Sequence, residues 1–258
     1  HQHRHRDGKA YDRRRHPLLH VPQLKGNIPG DLQLKHGQDQ PRPHEGDATD
    51  PRHPKPGYDK EHLLKEPDDI KRLLSMPYRP YAFSADNYNK IEEELGDSGI
   101  AMFDMDNAMY GLVRLIGSEN FALWSFDHED LMLEAIEIFS NRLCEHAETA
   151  ISHNITGVFG WVGPELCIPP LMAPTSFDTY VFEFDKKLID IIHNRGGYVW
   201  VHCHGRMKAM IGRFVEMGVD VLNPIEPPPM GDITMQEAFE AVGNHMALEG
   251  NIEIGRAH

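Results

Sequence analysis

From residue 61 onward the apolar positions follow two alternating rhythms. Helical spacing runs through 128–152, where Leu131, Leu133, Ala135, Ile136, Ile138, Phe139 and Leu143 make one amphipathic helix. Phe182, Phe184, Leu188, Ile191 and Ile192 predict a second over 177–193, stopped by Gly196 and Gly197. Shorter helices are expected at 87–95, at 207–217 before Gly218, and at 234–242. Another opens at Glu66, with Pro67 in its first turn and Asp68 and Asp69 at the positive end of its dipole. Between them lie short runs rich in Val, Ile, Phe and Trp at 100–105, 156–162, 198–202, 219–222 and 245–248, which predict strands. Strands alternating with helices of about 10 to 20 residues imply parallel βα units. No strand is followed by a glycine-rich phosphate loop, so the pattern favours an α/β fold of the (β/α)8 TIM-barrel type over a nucleotide-binding Rossmann fold.

Residues 1–60 break this pattern. They hold 8 of the 17 His and 8 of the 19 Pro, with no Phe, Trp, Met or Cys, and Pro and Gly interrupt their few leucines. The reading is a loop-rich or disordered segment at 1–60 and a TIM-barrel catalytic domain at 61–258. The histidine spacings in 1–60 match no closed ligand set.

Charge narrows the partners. The net charge is −14, and 61–258 alone carries 14 basic against 32 acidic residues, which excludes a nucleic-acid binder driven by bulk charge. No apolar run reaches the roughly 18 to 20 residues that span a bilayer, and the N-terminal residues lack a signal-peptide core, so a cytoplasmic protein is expected. Three cysteines, Cys144, Cys167 and Cys203, argue against a disulfide framework and leave each as a thiol or a ligand.

In a barrel the polar residues at the C-terminal ends of the strands make the active site. Those ends carry Asp104 and Asp106; Glu165; His202, Cys203, His204 and Arg206; Glu226 and Asp232; and Glu249 and Asn251. Residues i and i+2 of a strand share a face, so His202 and His204 can converge on one ion while Cys203 points into the barrel-helix layer. Zinc acting as a Lewis acid needs three protein ligands and an open position, and Glu226 or Glu165 could supply the third. Cys203 is the alternative donor, as a thiolate, and the two histidines could instead bridge loops and bind an anionic substrate. Glu226 is a candidate general acid or base held by a rigid Pro227-Pro228-Pro229 loop. Asp232 is either part of the site or the cap of the helix near Thr234. Arg206, at an expected helix start, is either a binder of carboxylate or phosphate or a surface ion-pair partner. Asp104 and Asp106 either face the mouth or are ordinary loop acids, and His153, His193 and His245 have surface or core roles.

From about residue 61 to 253 the order of these segments resembles the uroporphyrinogen decarboxylase superfamily, which holds haem-pathway decarboxylases and cobalamin-dependent methyltransferases. Three stretches carry the resemblance: 201–206 (Val-His-Cys-His-Gly-Arg), 218–232 with its Asn-Pro-Ile-Glu-Pro-Pro-Pro run, and Gly250-Asn251 at a late strand end. The decarboxylases share an Arg-Gln-Ala-Gly-Arg segment that this chain lacks. The methyltransferases share a His-x-Cys-Gly motif whose His and Cys hold zinc to activate an acceptor; here His202 matches the His and His204 takes the Cys position. The resemblance therefore implies a methyltransferase moving a methyl group between a corrinoid (cobalamin) on a partner protein and a small-molecule acceptor. In that reading zinc is held by His202 and His204 with Glu226, and the substrate is bound by Arg206, Glu165, Asp232 and Asn251. Decarboxylation of a porphyrinogen, with Asp104 or Asp106 on the pyrrole nitrogens, is the alternative; a truncated barrel that only binds a ligand is the other. The family's third metal ligand lies beyond the Gly-Asn strand. An eight-stranded barrel also needs a last strand and helix after Asn251 and a first strand that residues 1–60 do not obviously provide, so the barrel is expected to be incomplete at both ends, and either unstable alone or paired with a partner or a second copy.

Overall fold

A computed structural model describes the backbone of 23–24 and residues 61–80 and 82–250. The remaining residues of 1–60, and Asn251, lie outside the described residues. Six parallel strands form one sheet: β1 (Gln23–Leu24), β2 (Met102–Asp104), β3 (Val158–Val162), β4 (Tyr198–His202), β5 (Val221–Ile225) and β6 (Ala247–Gly250). Their order in the sheet is their order in the chain. A sheet that never reverses direction of winding has no topological switch point, which separates it from the doubly wound nucleotide-binding folds. It is the winding of a barrel, but the described sheet stays open, with β6 paired to β5 alone, and eight-stranded closure is not observed.

The helices that follow the strands are α3 (Ala108–Ile116), α4 (Ser118–Asp127) and α5 (Glu129–Ser152) after β2, α6 (Pro174–Phe177) and α7 (Glu183–His193) after β3, α8 (Ile211–Met217) after β4 and α9 (Met235–Val242) after β5. A wider π turn, Asp178–Phe182, joins α6 to α7. Two earlier helices, α1 (Pro67–Ser75) and α2 (Asp86–Leu95), precede β2. Along the layer α3 packs on α5, α5 on α7, α7 on α8 and α8 on α9. Consecutive helices side by side on consecutive strands are what right-handed βα crossovers produce. No helix among the described residues is long and apolar enough to cross a membrane.

Alternation within the strands sets the core. Phe159 and Trp161 of β3, Val199 and Val201 of β4, and Leu222 and Ile225 of β5 are buried. They meet Leu188, Ile189 and Ile192 of α7 and Phe214 and Met217 of α8 in one continuous apolar cluster. Phe159 also packs edge-on against Phe103 of β2, ring centroids 5.5 Å apart. The opposite positions of β4 are open: Tyr198 is 59% exposed, and Trp200 and His202 are partly buried. One face of the sheet is thus sealed by helices, and the other carries the polar and aromatic groups.

Several boundaries differ from the sequence expectation. The expected 219–222 strand instead runs through Ile225, and Pro224, which has no N–H, coincides with a break in the β5–β6 register between Leu222 and Ile225. The helix expected at 207–217 begins at Ile211, so Arg206 is not at a helix start. Helices α3 and α4 were not expected, because Gly111 and Gly117 cut a stripe that Met109, Leu112, Val113 and Ile116 nonetheless carry. Thr234 caps α9 reciprocally with Glu237, so Asp232 does not cap it.

Two substitutions calibrate this account by urea denaturation. Phe159→Ala should cost about 3 to 5 kcal/mol through a core cavity, and Thr234→Ala about 1 kcal/mol through a lost cap.

Candidate functional site

Because the strands are parallel and in sequence, all their C-terminal ends fall on one edge of the sheet. Register does the rest: His202 sits opposite Asn223 across the β4–β5 pair and opposite Val162 across β3–β4. The paired side chains meet, and His202 Nδ1 lies 2.6 Å from Asn223 Oδ1. Two residues on, His204 Nδ1 lies 3.1 Å from Glu226 Oε1, and Glu226 Oε2 accepts the Gly205 N–H at 3.4 Å. The Asn223 amide oxygen makes His202 Nδ1 the donor, so the neutral His202 ring keeps its lone pair on Nε2, whereas His204 meets Glu226 as an ion-pair contact that gains its charge only when the ring is protonated. The two rings stand edge to face, centroids 4.5 Å apart. Trp200 stacks on His202 from below and donates through Nε1 to Glu249 at the end of β6, 2.7 Å away. His204 is half exposed and Glu226 is 20% exposed, so the pair opens to solvent at the mouth.

The structure thus brings His202, His204 and Glu226 together. Arg206 is anchored by its backbone N–H to Pro169 O at 3.0 Å, with its side chain exposed. Glu165 turns back on its own loop, accepting the Gly163 N–H at 3.1 Å. Asp232 accepts the Lys208 N–H at 2.9 Å, tying the loop after β5 to the loop after β4. Asp104 ends β2, and Asp106 accepts the Asn107 N–H and faces Arg114 at 3.4 Å. Burial pushes the Asp106 carboxyl up, and Arg114 opposes it in part.

Cys203 is fully buried, its Sγ directed at the His204 carbonyl, and burial raises its thiol well above the ordinary range. Burial in the apolar layer disfavours a charged sulfur at Cys203. Zinc asks for more than the remaining groups supply. His202 and His204 offer two imidazole nitrogens, that of His202 oriented by its Nδ1 partner Asn223, but no set of three His, Cys, Asp or Glu side chains among the described residues is placed to hold a metal ion.

Reasoning from sequence missed Asp185, Asn107, Trp161 and Asn223. Asp185 carried a signal: it stands in the apolar stripe of its helix with Leu188, Ile189 and Ile192, where a charge is out of place. Asn223 carried none, since only the register puts it beside His202.

No protein-family model matches the chain, and no curated protein matches it. Among solved structures it is similar to a methyltransferase from Methanosarcina mazei, at 20% identity and a TM-score of 0.53, over 63% of this chain and 46% of that one. The chain is an α/β protein whose sequential parallel sheet belongs to the same fold as that enzyme. It spans less than half of that protein's length.

Two measurements check the site. Replacing Arg114 with Leu should move the Asp106 carboxyl further up, followed by carboxyl carbon NMR from pH 3 to 8; no movement would show that the Arg114 contact is absent in solution. Cys144, Cys167 and Cys203 are all buried, so a thiol reagent should find no fast-reacting cysteine in the folded chain and all three after denaturation.

Proposed function

We propose that this chain is a methyltransferase that moves a methyl group between a corrinoid carried by a partner protein and a small acceptor bound at the ends of β4 and β5. The observation that supports it is the pair of imidazoles at the end of β4, His202 hydrogen-bonded at Nδ1 to Asn223 and His204 facing Glu226, in a fold shared with a methyltransferase. Asn223 holds the His202 ring in the tautomer that leaves its Nε2 free. One Nε2 then takes the proton of a thiol or similar acceptor as the acceptor's lone pair forms the bond to the methyl carbon, and the donor keeps the electron pair of the bond that breaks. Glu226 stabilises the imidazolium that results at His204. The exposed mouth leaves room for a bulky donor, and Arg206 offers an anchor for an anionic group of the acceptor.

The test is demethylation of methylcobalamin in the presence of a small alkylthiol, followed by visible absorption. Acceleration over the thiol alone is expected, with a loss of about 10²-fold or more when both His202 and His204 are replaced by Ala. A rate unchanged by the double substitution would refute the assignment. Zinc content measured on the same samples decides the metal question: about one zinc per chain, lost in the double variant, makes the imidazoles ligands.

A further inference from the structure

α7 turns one carboxylate inward. Asp185 is 2% exposed, and its oxygens are held by two neutral donors: Asn107 Nδ2, 2.8 Å from Oδ1 and 2.7 Å from Oδ2, and Trp161 Nε1, 2.9 Å from Oδ2. The titratable groups that face it are Asp106 from the loop after β2, Cys144 from α5, Cys167 from the turn after β3 and Cys203 from the loop after β4. None is a cation, so burial dominates and pushes the carboxyl up to about 7.

Asn107 is bound at both ends of its amide. Its Oδ1 accepts the Tyr110 N–H at 2.9 Å and so caps α3, while its Nδ2 donates to Asp185. Ionised, Asp185 only accepts, and this fixes the amide in the capping orientation. Protonated, it must place a hydrogen on an acceptor, and of its two side-chain partners only Asn107 carries one. Turning the amide to meet that hydrogen takes the cap away from Tyr110. Asp106, at the same loop, rests on the Asn107 N–H and on Arg114 of α3.

We propose that Asp185 is a positioning residue: its ionised form orients the Asn107 amide, and through it holds the start of α3 and the loop after β2 that carries Asp106. Its effect on turnover rests on the methyl-transfer reading; the coupling to α3 does not.

Amide hydrogen exchange of Tyr110, measured by NMR on the full chain from pH 6 to 8 and corrected for intrinsic rates, tests it. Protection of Tyr110 should rise about fivefold, the size of one capping bond, as pH passes through about 7. Global stability should move the other way. The folded chain keeps a proton that the unfolded chain, with its ordinary value of 3.8, has released, so raising the pH from about 4 to about 7 lowers the urea midpoint.

D185N carries amide hydrogens at every pH, so Tyr110 should stay weakly protected and lose its pH dependence. N107S keeps a capping hydroxyl but severs the link, so protection should stay high and flat, which preserves the test if D185N does not fold. Tyr110 protection independent of pH in the unsubstituted chain, or an unchanged pH dependence in N107S, would overturn the proposal. Methylcobalamin turnover run in parallel separates the two readings. A pH-linked Tyr110 without turnover refutes the enzyme and keeps the coupling, whereas turnover with a flat Tyr110 refutes the coupling alone.

Discussion

Parallel pairing without a reversal of order is the constraint on which the remaining structure depends. Each parallel neighbour must be reached by a crossover, and a right-handed crossover at every step lays the helices side by side along one face. Two consequences follow without further design. Every strand delivers its last residues to the same edge, and every strand has one face sealed by helices and one that is not. The polar residues of β2 to β6 are neighbours for the first reason, and Trp200 and His202 remain accessible for the second.

Within that frame His202 is set by a hydrogen-bond partner on the next strand, and His204 faces a carboxylate just beyond it. A strand end alone would leave both rings free to rotate and to exchange tautomers. Asn223, in register with His202, removes that freedom from the first ring, while Glu226 places a carboxylate beside the second. Glu226 faces His204 and accepts the Gly205 N–H, which joins the two strand ends. The loop from Pro227 to Asp232 serves the neighbouring loop as well, because Asp232 reaches back to Lys208.

The sealed face has a polar interruption at Asp185. A buried carboxylate without a cation is costly in an apolar layer, and it persists here because two N–H donors from different strand ends converge on it. Those donors belong to the loop after β2 and to β3, so the same interaction that satisfies the carboxylate also ties that loop and that strand to α7.

The alternation of strands and helices, the strand at 198–202 and the placement of His202, Cys203 and His204 at its end were legible in the chain, because local periodicity and glycine stops act over a few residues. The burial of Cys203 between two partly exposed histidines was legible for the same reason, since side chains alternate along an extended backbone. Helix α3 escaped notice because its stripe is short and broken by glycine. The extension of β5 to Ile225 escaped because proline reads as a terminator until the register break is seen. The partners themselves belong to tertiary structure. Asn107 and Asp185 lie 78 residues apart and His202 and Asn223 lie 21 apart. No local rule brings them within hydrogen-bond distance; strand register and the packing of α7 on the sheet do.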